Sequence, residues 1–158
     1  MAAYDVERIA DVRRFPASRR HPQFARENLE ASLKAAGCDY RWLPELGGRR
    51  SARKDSRNTG WRVAAFRGYA DYMETPEFQR ALNDLESLAR EKRTAVMCAE
   101  MLWWQCHRRL IADQLLARGH EVVHILSRDD SKPHAFIPPA VLRNGQLSYA
   151  AEQPDLDL

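Results

Sequence analysis

The chain has 158 residues, three cysteines and a net charge of +3, with 44% hydrophobic and 30% charged residues. A chain of this size buries a core without covalent staples, so this balance excludes a disordered chain and a disulfide scaffold. No apolar run reaches the roughly 18–20 residues of a membrane helix, and MAAYDVERIA has no signal-peptide core. The sparse, odd cysteine set points to reduced thiols and a cytoplasmic location. Charge is uneven: residues 1–68 carry 15 Lys or Arg against 8 Asp or Glu, a surplus of +7, and the rest carry −4. Two clusters hold the surplus, RRFPASRRH (13–21) and GGRRSARKDSRNTGWR (47–62). Such clusters attract phosphate-bearing partners or form a solvated surface.

In chain order, RIADV (8–12) reads as a short buried strand. FARENLEASLKAAG (24–37) has Leu29, Leu33 and Ala36 at helical spacing, with Gly37 as a stop. YRWL (40–43) is a second strand, closed by Pro44 and the Gly47–Gly48 pair. Residues 49–67 are polar and aperiodic, a loop of unusual length. AFRGYADYMETPEF allows a short helix. Thr75 and Pro76 then start a stronger one, with Phe78, Leu82, Leu85 and Ala89 as its stripe. TAVMC (94–98) is a third strand, and LIADQLLARG (110–119) an amphipathic helix. EVVHIL (121–126) is a fourth strand, DDSKPHAFIPP a loop, and VLRNGQLSY a hairpin around Asn144–Gly145. The fold class is therefore α/β: a mainly parallel sheet flanked by helices, with Rossmann-like or rhodanese-like layering and a small C-terminal hairpin. Residues 1–149 are expected to form one domain and 150–158 a frayed tail.

Ligands in open parallel sheets collect outside the carboxyl ends of the strands. Asp11–Arg14, Leu43–Arg50 and Cys98–Arg109 each follow an expected strand, so all three should line one cleft. Within it, Cys98 faces the positive end of the following helix, which would favour its thiolate; the alternative is a small buried hydrophobe. Cys106 is a second candidate thiol, and His107 either a base or a capping donor. Arg108 is the preferred anion clamp, because adjacent helical residues point about 100° apart and only one of 107 and 108 faces the cleft. Arg109 is expected at the surface or in an ion pair. Glu100 is an acid–base candidate, or more simply an ion-pair partner of Arg13 or Arg108. Arg13 and the Arg49–Arg50 loop are expected to hold phosphate with Arg108, Ser18 is a further ligand-binding candidate, Asp11 is expected to orient the first loop through its amides, and Gly47 and Gly48 to supply unusual backbone angles and close approach. Of the tryptophan pair, one ring should pack and one stay partly open, Trp104 being placed to stack on a base. A metal reading uses Cys98, Cys106, His107 and His124. C-x7-C-H is not a common zinc spacing, so no metal and no cofactor is expected. No phosphate-loop or dinucleotide glycine fingerprint is present.

ADVRRFPASRRHPQF, LPELGGRR, GWRVAAFRGYADYM and MCAEMLWWQCHRRLIAD with RGHEVVHI together resemble the bacterial family called domain of unknown function 488, over about residues 8–149. The resemblance implies an α/β fold with its site at these segments and no established activity. It also implies an additional opening strand and helix around a Thr-Ile-Gly-His-Ser-like run, which the sequence ahead of Arg8 does not contain. A more distant likeness is to rhodanese-type domains, where an Asp-Val-Arg strand end precedes a strand ending in cysteine. The rhodanese loop closes within a few residues of its cysteine, whereas Cys98 and Arg108 are ten apart, so sulfur transfer is not carried over.

The expected function is binding of an anionic ligand, a nucleotide or nucleic acid, in a basic cleft. The alternatives are a thiol-dependent enzyme or redox-sensitive protein using Cys98 or Cys106, and a non-catalytic interaction module. No membrane partner is expected, and the sequence does not indicate whether the protein is an enzyme or what its oligomeric state is.

Overall fold

The structure, a computed structural model, describes residues 2–151. Strands β1 (Arg8–Asp11), β2 (Asp39–Trp42) and β3 (Thr94–Met97) form a parallel sheet in the order β2-β1-β3. Ile9 sits in register with Tyr40 on one side and Ala95 on the other. With a neighbour on each side, β1 is buried along its whole length, as a central parallel strand should be. The β1–β2 crossover carries helix α1 (Arg26–Ala35), and the β2–β3 crossover carries α2 (Ala64–Met73) and α3 (Pro76–Glu91). Helix α4 (Arg108–Ala117) follows β3.

Strand alternation divides the core. Ile9 and Tyr40 cluster with Leu33 and Leu29 of α1, while Ala10 and Val12 cluster with Tyr69, Leu82 and Leu110 from α2, α3 and α4. Helices therefore cover both faces. Local signals end the elements as expected. Thr75 Oγ1 accepts from the Phe78 amide at 3.3 Å, and Gly37 and Gly119 take φ of +71° and +88° after α1 and α4. Buried Asp71 of α2 holds the long loop, accepting from the Arg53 amide (2.8 Å), Ser56 Oγ (2.5 Å) and Asn58 Nδ2 (2.8 Å).

The segment expected as a fourth strand does not join this sheet. β4 (Val123–Ile125) pairs antiparallel with β5 (Ser131–Pro133), which lies in the segment expected to be loop. The cause is a polar core. His124 and His134 are buried and bonded to each other at 2.9 Å, and His134 reaches Asp113 of α4 at 2.9 Å. Val123 and Ile125 face outward, 45% and 46% exposed. The C-terminal hairpin forms as expected: β6 (Val141–Arg143) and β7 (Gln146–Ser148) flank Asn144 and Gly145 at φ 52° and 75°, the left-handed pair that a tight two-residue turn needs. Of the expected tail, Ala151 is held by its amide donating to Thr59 Oγ1 at 3.1 Å, and residues 152–158 lie outside the described residues. No described helix is long and apolar enough to cross a membrane.

Candidate functional site

The loops leaving β1, β2 and β3 meet. Arg13–Phe15, Gly48–Arg49 and Cys98–Glu100, with Gln105–His107 ahead of α4 and Val63, Phe66 and Tyr69 from the start of α2, line a cleft of about 360 Å³. Parallel strands bring these segments to one edge although more than 90 residues separate the first from the last.

Cys98, Cys106 and His107 form the floor, with two sulfurs and an imidazole nitrogen all within 4.8 Å of one another. Cys106 Sγ lies 3.6 Å from His107 Nδ1 and accepts from Arg108 Nε at 3.4 Å. His107 Nε2 is 3.2 Å from the Val12 carbonyl, which can only accept, so Nε2 carries a proton and Nδ1 faces the sulfurs. The Tyr69 ring packs 5.1 Å from the imidazole and holds it from the α2 side. The two thiols share their protons unequally. Cys98 is pushed up by its hydrogen bond to Cys106 and by burial, and Cys106 is held down chiefly by the Cys98 S–H. Of the two candidate thiols, this makes Cys98 the hydrogen-bond donor and Cys106, beside the start of α4, the acceptor.

The glycine pair works by close approach alone. A Cβ on Gly47 would lie 2.7 Å from Arg14 Cβ, and one on Gly48 would lie 2.9 Å from His107 Nδ1. Neither glycine takes positive φ; the unusual backbone angle falls on Arg49, at φ 61°.

The arginines divide into structural and available ones. Arg13 borders the cleft, but its Nε and Nη2 bind the Asp11 carboxylate at 2.5–3.0 Å, and Nη1 donates to the Phe24 carbonyl at 2.7 Å. Asp11, fully buried, also accepts from Tyr40 Oη at 2.6 Å. Arg108 does not line the cleft. Its Nη2 donates to the carbonyl of Glu100 and, at 3.4 Å, to that of Met101, so it closes the Cys98–Cys106 loop, and His107 takes the inward position instead. The Glu100 side chain borders the cleft and makes no ion pair among the described residues. Arg109 departs from expectation: it is 8% exposed, donates to the carbonyls of Ile137 and Pro138 at 2.8 and 2.7 Å, and lies over the Trp61 ring. Ser18 is outside the cleft, its Oγ accepting from the His21 amide at 3.0 Å.

Arg14 and Phe15, neither of them a site residue expected from the sequence, line the cleft with Arg49. Arg14 and Arg49 stand 5.6 and 5.9 Å from the centre of the Phe15 ring, and Arg14 Nη1 donates to the Arg49 carbonyl at 3.1 Å. Strand alternation carries the signal: Asp11 and Arg13 continue the α1 face of Ile9, so Arg14 points the other way. Trp103 stacks on His124 at 3.7 Å, whereas Trp104 is 41% exposed and stands outside the cleft lining.

Behind this loop runs a buried chain. Tyr149 Oη and His134 Nε2 each donate to the Asp113 carboxylate at 2.9 Å, His124 Nε2 donates to His134 Nδ1, and Trp103 covers His124. It fixes the short turn Trp103–Gln105 that delivers Cys106. Asp113 lies three residues after Leu110, on the buried face of α4. A carboxylate there needs core partners, which was the sequence signal for this chain.

No curated protein and no solved structure matches the chain. The family described as "Domain of unknown function DUF488" matches residues 1–115, a span containing all three cleft-lining strand-end loops and the Cys98–His107 segment. The chain belongs to the DUF488 family.

Proposed function

We propose that the cleft binds an anionic ligand of mononucleotide size, with its phosphate at Arg14 and Arg49. The observation carrying this reading is the convergence of three strand-end loops on one cleft whose rim holds two exposed arginines without a carboxylate partner among the described residues. Phe15, 64% exposed between them, offers an aromatic face. A volume of about 360 Å³ sits at the lower end of small-molecule sites, which favours a mononucleotide over a strand. Trp104, away from the lining, gives no continuous stacking track. The parallel sheet with helices on both faces supports a Rossmann- or rhodanese-like layering, in which this edge is the ordinary ligand edge. The thiol-dependent reading is weaker: Cys106 is only 2% exposed, and the Cys98 thiol is pushed up by its hydrogen bond to Cys106 together with burial, which favours its protonated form.

Calorimetry with ribonucleoside monophosphates and pyrophosphate at low salt tests the proposal. Wild-type protein should bind, and affinity should fall as salt screens the arginines. A charge-assisted hydrogen bond contributes roughly 1.5–3 kcal/mol, so R14A and R49A should each weaken binding about tenfold or more. Failure to bind any of these anions at low salt would overturn the proposal and favour an interaction module.

A further inference from the structure

We infer that Cys98, Cys106 and His107 form a zinc site whose fourth coordination position faces the cleft. The sequence spacing alone gave no reason to expect this; the fold supplies one by bringing two sulfurs and an imidazole within 4.8 Å. Zinc prefers such donors in tetrahedral array, at about 2.3 Å to sulfur and 2.0–2.1 Å to nitrogen. Those lengths set a tetrahedral sulfur–nitrogen edge of about 3.6 Å. The Cys106 Sγ to His107 Nδ1 distance is 3.6 Å.

Three further observations fit a ligand set. The Val12 carbonyl takes the Nε2 proton of His107, the arrangement that orients a metal-binding imidazole and leaves Nδ1 as donor. Arg108 Nε donates to Cys106 Sγ at 3.4 Å and partly balances the charge of two thiolates. Gly48 keeps the approach to Nδ1 clear, since a Cβ there would sit 2.9 Å away. His124, the fourth ligand considered from sequence, is committed to His134 and the Trp103 stack. Among the described residues the set is therefore Cys2His. Three protein ligands leave one position for water or an anion, the coordination typical of catalytic rather than structural zinc. Zinc entering the site displaces the protons of Cys98 and Cys106 to solvent. The inference stands on the floor residues and does not require the anion reading of the rim.

The test is metal titration of the full chain under a thiol-free reductant, without nucleotide. Zinc competed against a chromophoric chelator should bind at one equivalent. Cobalt in its place should give thiolate charge-transfer absorption and the strong visible bands of a tetrahedral site. C98S, C106S and H107A should each lose at least a hundredfold in affinity, and G48A about tenfold or more. C38A, far from the floor, should keep wild-type binding. The wild-type cobalt spectrum decides the matter even where a variant misfolds. No stoichiometric zinc, or an octahedral cobalt spectrum lacking thiolate bands, would overturn the inference. Zinc binding without nucleotide binding would sink only the reading of the rim, and the converse only this one.

Discussion

Replacing Asp11 by asparagine is expected to cost about 3–5 kcal/mol of folding stability, the usual result of removing one partner from a buried ion pair. Asp11 is fully buried and accepts from the Arg13 amide, the Arg13 guanidinium and the Tyr40 hydroxyl. Asparagine keeps one acceptor oxygen but leaves Arg13, 7% exposed, as an uncompensated buried charge. Burial and the neighbouring Asp11 carboxylate both push the Tyr40 phenol up, so it stays a neutral donor across the ordinary pH range. Urea denaturation reads the effect as a fall in midpoint at constant slope. The double variant D11N/R13M should be less destabilised than D11N, because it removes the stranded charge as well. An unchanged midpoint in D11N would mean that the pair is solvated and that Arg13 is free to bind ligand.

Acidification from pH 7 to pH 4 is expected to remove on the order of 2–3 kcal/mol through His124 alone. Burial, His134 and Arg108 lower its pKa from 6.5 to about 4. Above pH 6.5 the imidazole is neutral in both folded and unfolded chains and contributes no pH dependence. Between 6.5 and about 4 the unfolded chain takes up a proton that the folded chain refuses, so stability falls as pH falls. Below about 4 both states are protonated and this contribution levels off. H124F keeps a flat ring against Trp103 and removes the titration. It should be less stable at pH 7, because His134 Nδ1 loses its donor, yet show a flatter stability profile between pH 6.5 and 5. An equally steep profile in H124F would assign the effect to another group.

The contrast between these two clusters shows what the sequence made legible. Short runs located β1, β2 and β3, the second closed by Pro44 and the Gly47–Gly48 pair, and helical spacing with glycine stops located α1 and α4. Thr75 and Asn144–Gly145 act through neighbours a few residues away, so local chemistry was sufficient there. At β4 it located the strand but not its partner, because hydrophobicity is inverted there: His124 is buried while Val123 and Ile125 are exposed. His124 of that strand is tied through His134 to Asp113; helical spacing marks Asp113 as buried but does not name a partner 21 residues away.

The candidate site divides in the same way. Parallel strands bring the three loops together, and the cleft lining includes Arg13, Gly48, Arg49, Cys98, Glu100, Cys106 and His107. Assignment among adjacent arginines was less legible because it depends on which ones find internal partners. Arg13 finds Asp11, Arg108 finds loop carbonyls, and Arg109 finds Ile137 and Pro138, which leaves Arg14 and Arg49 at the rim. The proximity of Cys98 to His107 depends on the turn Trp103–Gln105 folding back, which Trp103 secures on a histidine 21 residues away.

The most direct measurement is an amide NMR titration of the labelled chain with a ribonucleoside monophosphate at low salt. Amides of 13–15, 48–49 and 98–107 should shift together with one binding constant, and R14A/R49A should abolish the response. Shifts confined to one of these segments, or centred on the separate hollow around Asn58, Glu74 and Arg118, would contradict it.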